Sequence, residues 1–351
     1  MSWITDIARP DIQQLSPYQP AAWEPSLVRL HANELPWRAD GDASEAGLNR
    51  YPEPHPHALA ARLAQLYGVV SEAVLPCRGS DEAIDLLTRC YVRSGRDAIV
   101  ITPPTFGMYS LCARVQGAMI IEVPLNREAR FRVDVPALLK AVSSSVKLVF
   151  LCSPNNPTGN AIDRAAVRTL AAALAGRALL VIDEAYVEFA GSPSLADELR
   201  TTPGLVVLRT LSKAHGLAGA RCGAVLANPQ VIALLRRVIQ PYAVSQLTIE
   251  AVFRALEPAA LAIAREHVQR VIVERDRLAA GLAARSTVRL VWPSAANFLL
   301  VDFADAGAAL QRSRAAGLLL RDLRPLPSLP QSLRISVGTP ENNDRLLVAI
   351  P

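Results

Sequence analysis

The sequence predicts an α/β fold in which a large domain carries a mostly parallel sheet between helices and a smaller α+β domain follows it. Three observations lead there. The 351 residues exceed the roughly 150 of a typical domain, so two units are expected. Hydrophobic residues make up 51% of the chain and charged residues 20%, which is enough apolar surface to order a large core and too little charge for disorder. From about residue 57 to 227, short runs rich in Val, Ile and Leu alternate with longer segments of helical period, the pattern of strands buried on both faces.

Taken in order, the first forty residues are rich in Pro and Trp with little periodicity, which predicts an arm draped over the rest. Strands are expected at 74–77, 98–102, 119–123, 146–152, 179–183, 205–210 and 222–227. Helices are expected at 58–67, 81–92, 134–141 and 163–173, with Asp134 and Asp163 as caps. After Asn228 the pattern turns helix-rich through Ala284. Strand-like runs at 288–292 and 297–303, a helix, and further runs at 318–321 and 333–337 follow. The expected division is an arm over 1–45, a large domain over 46–250 and a small C-terminal domain over 251–351.

Composition narrows the function. The net charge of +5 is mild for this length and no Lys/Arg block tracks a phosphate backbone, so nucleic acid is not expected as a partner. No run reaches the roughly 18 apolar residues of a membrane span, and the start shows no basic and apolar leader pattern, so the expected address is cytoplasmic. Cys77, Cys90, Cys112, Cys152 and Cys222 are odd in number and form no C-x-x-C pair, which reads as buried thiols in a reducing compartment, with no metal site. Only Lys140, Lys147 and Lys213 are lysines, so chemistry that needs a primary amine has few candidates.

In an open α/β sheet, ligands bind beyond the carboxyl ends of the strands. Four loops there are informative. Ser153-Pro-Asn-Asn-Pro-Thr-Gly159 is a rigid turn that leaves Asn155 and Asn156 at its apex, although turn-formers alone would also explain it. Asp183-Glu-Ala-Tyr186 puts a carboxylate at a strand end, in isolation an ordinary cap, with a phenol three residues on. Thr210-Leu-Ser-Lys213 is followed by Gly216, Gly219, Arg221 and Gly223, where small residues let the backbone approach closely; the plain alternative is a lysine covering a loop. Arg78-Gly-Ser-Asp-Glu82 turns through glycine into a helix whose free amides and Ser80 suit an anion, though such turns are common.

One cofactor accounts for an amine, a carboxylate, a phenol, an amide, a helix N-terminus and an arginine at one sheet edge, and that cofactor is pyridoxal phosphate. Its aldehyde needs an amine, its ring nitrogen a carboxylate, its ring oxygen donors and its phosphate an anion cradle.

Ten strings in order along nearly the whole chain carry a resemblance. They include His31-Ala-Asn-Glu-Leu-Pro, Asn49-Arg-Tyr-Pro-Glu-Pro, Pro103-Pro-Thr-Phe-Gly-Met-Tyr109, Gly219-Ala-Arg-Cys-Gly, Leu320-Arg-Asp and Leu333-Arg-Ile-Ser-Val-Gly, beside the four loops above. On these residues the chain resembles the class II, fold-type I pyridoxal-phosphate transferases, and within them the histidinol-phosphate aminotransferase branch. The resemblance implies that Lys213 carries pyridoxal 5'-phosphate as a Schiff base and moves the substrate proton, with Asp183 on the ring nitrogen. It implies Tyr186 and Asn156 on the ring oxygen and Tyr109 stacked on the ring. Ser80, Asp81, Thr210, Ser212 and Arg221 would surround the cofactor phosphate, Asp81 through its backbone amide.

It further implies a homodimer in which Tyr51 reaches the neighbour's cofactor phosphate and the arm joins the small domain and the dimer partner. Arg334 and Arg321, with Tyr18 and Asn33 from the arm, are the implied substrate anchors. The implied reaction is reversible amino transfer between glutamate and imidazole acetol phosphate, giving L-histidinol phosphate and 2-oxoglutarate. Two departures stand out: Phe106 occupies a position where relatives often have tyrosine, and His215 one where they often have phenylalanine. His55-Pro-His57 has ligand-like residue types, but its prolines and single nearby carboxylate Glu53 argue against a metal.

Rival readings within the same chemistry are an aromatic amino-acid aminotransferase and a threonine-phosphate decarboxylase. From other classes come a non-catalytic regulator on an aminotransferase body, which would need a DNA-reading domain, and a nicotinamide dehydrogenase, which would need a G-x-G-x-x-G after its first strand. Neither feature is in the sequence.

Overall fold

Every apolar run expected between residues 74 and 227 becomes a strand of one sheet in the computed structural model, which describes residues 3–20, 22–24 and 26–351. The strands are β1 (Val74–Cys77), β2 (Ala98–Ile101), β3 (Met119–Glu122), β4 (Val146–Cys152), β5 (Leu179–Asp183), β6 (Leu205–Thr210) and β7 (Gly223–Ala227). Their order is β1-β7-β6-β5-β4-β2-β3. Only β7 runs against the rest, antiparallel to both β1 and β6, with Gly223 opposite both Cys77 and Thr210. That reversal brings the start of β7 to the edge where β4, β5 and β6 end.

Alternation along the strands divides the core in two. On β5, Leu179 and Val181 face one apolar layer while Leu180 and Ile182 face the other. Around this sheet lie α1 (Trp3–Asp6), α2 (Pro10–Gln14), α3 (His57–Tyr67), α4 (Ser80–Tyr91), α5 (Met108–Gln116), α6 (Val135–Ala141), α7 (Arg164–Leu174), α8 (Pro229–Leu235) and α9 (Gln246–Ala255). Asp134 and Asp163 act as caps, accepting from the backbone amides of Ala137 and Ala165 at 2.9 Å each.

A long helix, α10 (Pro258–Ala283), leads to an antiparallel sheet of β8 (Val288–Val291), β9 (Phe298–Phe303), β10 (Arg321–Asp322) and β11 (Ser332–Ser336), ordered β10-β11-β9-β8. Two more helices, α11 (Ala306–Ala315) and α12 (Pro340–Ala349), complete this smaller unit. Among the described residues no helix is long and apolar enough to cross a membrane.

Three expectations change. The arm starts on the large domain: Ile4, Ala8 and Ile12 are buried in the large-domain core, and the Arg9 amide donates to the Cys90 carbonyl at 3.0 Å. Periodicity missed α1 and α2 because helices of four and five residues each bury a single side chain, Ile4 and Ile12. A domain boundary at 250/251 would cut α9, whose Val252 is buried with the large-sheet core, and Leu261 of α10 still packs against that core. The strand expected at 318–321 begins only at Arg321, while Leu318 and Leu320 pack on the small core from irregular backbone.

Candidate active site

The ends of β4, β5 and β6, the N-terminus of α4 and the segment before β7 converge on one cleft. Ser80, Asp81, Asn156, Asp183, Tyr186, Thr210, Ser212, Lys213 and Arg221 all line it, as does Phe106. Nine of the residues that the resemblance assigned to the cofactor thus line a single cavity.

At the floor is Asp183, 2% exposed at the end of β5. Its Oδ2 accepts from the Tyr109 hydroxyl at 2.9 Å and its Oδ1 from the Ala185 amide at 3.1 Å. Burial nevertheless pushes the carboxyl up to about 6, against those hydrogen bonds. A buried carboxylate in this position calls for a cationic partner, and a protonated ring nitrogen is one.

Tyr109 is not where the resemblance put it. Its ring is fully buried, stacked on Phe150 at 5.0 Å between centroids and 10° between planes, and its hydroxyl goes to Asp183. Tyr109, Cys112 and Ala113 form the buried stripe of α5, an i, i+3, i+4 spacing that already marks Tyr109 as inward-facing. The aromatic wall of the cleft is Phe106, from the loop before α5. Tyr109 therefore meets the cleft only through its hydrogen bond to Asp183.

Tyr186 and Asn156 meet beside the floor, the Asn156 Nδ2 donating to the Tyr186 hydroxyl at 3.4 Å. Arg334, on β11 of the small sheet, donates from Nη1 to the Asn156 Oδ1, so one amide joins the two domains. The Arg334 Nε is buried with no hydrogen-bond partner, and burial lowers its pKa. That orphan donor is a ready partner for an anion. Arg321 sits opposite Arg334 in the β10–β11 pair and is exposed. Phe298 of β9 closes the small-domain side, edge-on to Tyr186 at 5.2 Å and beneath the Arg334 guanidinium at 5.3 Å. No sequence signal ties Phe298 to residues so distant along the chain.

Lys213 opens into the cleft with its Nζ 5.8 Å from the Tyr186 ring centroid. Desolvation first and Arg334 second lower its pKa, which raises the fraction of free amine at neutral pH. The anion cradle lies beyond it. Thr210 Oγ1 donates to Ser212 Oγ at 2.9 Å, and the Arg221 Nη2 reaches the Asp81 Oδ2 at 3.2 Å. Gly79 holds φ +82°, and a Cβ there would stand 2.8 Å from the Arg221 Nη2. A Cβ on Gly223 would meet the Arg209 carbonyl oxygen at 2.7 Å and the Gly79 backbone carbon at 2.8 Å. The cradle is thus shaped by two glycines whose missing side chains let three backbone segments close up. Gly223→Ala is expected to cost about 1–3 kcal/mol in urea unfolding, because backbone atoms on both sides cannot yield cheaply. Unfolding at the wild-type midpoint would show that the segments separate freely.

The remaining expected contacts lie outside this cleft within one chain. Tyr18, Asn33 and Tyr51 are exposed, and Tyr51 stacks on Tyr242 at 4.6 Å.

These donors fit pyridoxal phosphate: a free amine, a buried carboxylate in need of a cation, a paired phenol and amide, and a glycine-shaped cradle with an arginine. Comparison with known proteins agrees. The chain is 50% identical over 348 residues to the histidinol-phosphate aminotransferase of Stenotrophomonas maltophilia (strain R551-3), covering 98% of this chain and 95% of that one. It is 47% identical to the enzyme of that name from Xylella fastidiosa (strain 9a5c), with 99% and 96% covered. Among solved structures, histidinol-phosphate aminotransferase from Sinorhizobium meliloti in complex with pyridoxal-5'-phosphate superposes with a TM-score of 0.78 at 29% identity, covering 87% of this chain and 82% of that one. Residues 28–350 match the family described as aminotransferase class I and II. With a cleft of this chemistry and relatives of this similarity, the chain belongs to the class I and II aminotransferases.

Proposed function

We propose that the chain catalyses reversible amino transfer between glutamate and imidazole acetol phosphate, giving L-histidinol phosphate and 2-oxoglutarate, with pyridoxal 5'-phosphate as cofactor. The observation that carries this is identity of 47–50% over nearly the full chain to histidinol-phosphate aminotransferases, joined to a cleft lined by Lys213, Asp183, Asn156, Tyr186 and Arg221.

The bound cofactor supplies an electron-poor ring that accepts the electron pair left at the substrate α-carbon when a proton departs. The protein residues do the rest. Asp183 holds positive charge on the ring nitrogen through its carboxylate. The Tyr186 hydroxyl and Asn156 Nδ2 orient the ring oxygen, and Phe106 keeps water from one wall. The Lys213 Nζ, with its lowered pKa, takes the α-proton and returns it. Ser80, Thr210, Ser212, Arg221 and the Asp81 amide anchor the phosphate at the α4 N-terminus.

Glutamate has two carboxylates whereas histidinol phosphate has a phosphate and none. One site must accept either anion, and Arg321 with Arg334 on neighbouring strands offers two adjacent guanidiniums for it. Arg334→Gln is expected to raise the KM for glutamate by roughly 10- to 100-fold, the loss of a charge-assisted pair. An unchanged KM would move the anchor elsewhere. Tyr18 and Asn33 of the arm complete the proposed substrate contacts.

We also propose a homodimer working in the cytoplasm. Leu27, Val28, Leu30, Trp37 and Tyr51 are exposed together in the segment before α3, apolar surface that a second copy would cover while bringing Tyr51 to the neighbour's cradle. The five free buried cysteines suit a reducing setting. The decisive experiment compares turnover of histidinol phosphate and phenylalanine with 2-oxoglutarate as acceptor. Faster turnover of phenylalanine would reassign the enzyme to aromatic amino acids.

A further inference from the structure

The turn after β4 presents two asparagines, and only the second lines the cofactor cleft. Asn155 is 2% exposed and reaches across to the neighbouring loop instead. Because β2 and β4 are adjacent parallel strands, the loops that leave their carboxyl ends run side by side. The loop after β2, residues 102–107, carries Phe106, the aromatic wall of the cleft.

Asn155 joins these two loops with every polar atom it has. Its Nδ2 donates to the Pro104 carbonyl at 2.9 Å and to the Thr158 hydroxyl at 2.6 Å, and its Oδ1 accepts from the Thr105 hydroxyl at 2.9 Å. Its backbone amide donates to the Asn160 carbonyl at 2.8 Å, and its carbonyl accepts from the Gly159 amide at 2.7 Å. The backbone of Asn155 is thus built into its own turn, while its side chain holds the two residues that precede Phe106.

That span matters because the Phe106 loop has few other ties. The Pro103 carbonyl accepts from the Leu125 amide at 2.7 Å. Beyond it Pro104 has no amide hydrogen, and among the described residues the Thr105 and Phe106 amides donate to no backbone carbonyl. The Phe106 ring meets Tyr109 edge-on at 5.7 Å between centroids, a contact that orients the ring and leaves the backbone before it to the asparagine. A segment without backbone partners takes its position from the side chains that bond it. Asn156, by contrast, has its own partners in Arg334 and the Tyr186 hydroxyl. What Asn155 adds therefore falls on the Phe106 side.

We propose that Asn155 is a positioning residue for amino transfer, its side-chain amide fixing the Phe106 wall against the Asn156 loop so that the aromatic face meets the cofactor already ordered. Binding then need not order that wall, and the reacting groups keep their alignment through the cycle. Because the tie acts on the cofactor wall, it serves whichever amino donor is preferred.

The test uses the holoenzyme and reads the cofactor as well as turnover. Asn155→Ala is expected to lower kcat per cofactor-loaded chain by roughly 10- to 100-fold, measured with whichever of histidinol phosphate and phenylalanine turns over faster. The visible circular dichroism of the bound cofactor, which reports how firmly asymmetric protein groups hold it, should lose amplitude. In a Phe106→Ala background the same substitution should cost less than about threefold, because the wall through which it acts is gone. Thr105→Val removes one hydroxyl from the tie and leaves Asn155 in its turn. It should give the same signs at smaller size, and it carries the test should Asn155→Ala fail to fold. Equal losses with and without Phe106 would overturn the proposal. So would a lowered thermal midpoint with kcat per loaded chain and cofactor dichroism both unchanged, the pattern of a residue that only supports the fold.

Discussion

Lys213→Ala is expected to lower kcat by about 10⁴-fold or more, with thermal unfolding of the polypeptide little changed. No other amine can substitute. Lys147 donates its Nζ to the Ser144 carbonyl at 3.0 Å at the far end of β4, and Lys140 lies on α6. The lowered pKa of Lys213 arises from its surroundings, namely desolvation and Arg334, so an amine placed elsewhere would not be equally free at neutral pH. Steady-state kinetics with glutamate as donor measures the loss, and circular dichroism checks the fold. Residual turnover within tenfold of wild type would remove Lys213 from the proton transfer.

Asp183→Asn is expected to lower kcat by about 10³-fold, because an amide cannot hold a ring nitrogen positive as a carboxylate does. The same substitution carries a second, independent signature. Burial raises the folded carboxyl from 3.8 to about 6, so the folded protein keeps a proton that the unfolded chain has released. The associated stability is present in full below the unfolded value and is lost as pH rises through the folded one. From pH 5 to pH 8 the cofactor-free wild-type protein should therefore lose about 1 kcal/mol relative to Asp183→Asn, read from urea unfolding at the two pH values. Parallel stability profiles would show that the buried carboxyl does not titrate in this range. As a companion, Tyr109→Phe removes a donor to the ionised carboxylate and should move the acid limb of kcat to higher pH.

The seven-stranded sheet was readable because every strand but the edge strand β3 is buried on both faces, and unbroken apolar runs bounded by turns mark them at almost residue resolution. The cofactor cleft was readable for a related reason: β4, β5 and β6 each end on a chemical group, and a parallel sheet puts those ends side by side. What failed depended on direction or distance. Tyr109 and Phe106 are three residues apart, so composition alone could not say which faces the cleft; the stripe with Cys112 and Ala113 could have. The docking of α1 and α2 on the large domain rests on one buried side chain from each, too little for a periodic signal. Phe298 enters only because the small sheet is carried back over the large one by α10, a tertiary placement that no local pattern records.

The bond from Arg334 to Asn156, and from Asn156 onward to the Tyr186 phenol, gives the two sheets a common messenger. If Arg334 anchors the substrate anion as proposed, that anion would compete for the guanidinium, and the amide would pass the competition on to the phenol. An enzyme that accepts phosphate and carboxylate in turn would have, in this three-member chain, a way to tell its reactive end which guest has arrived.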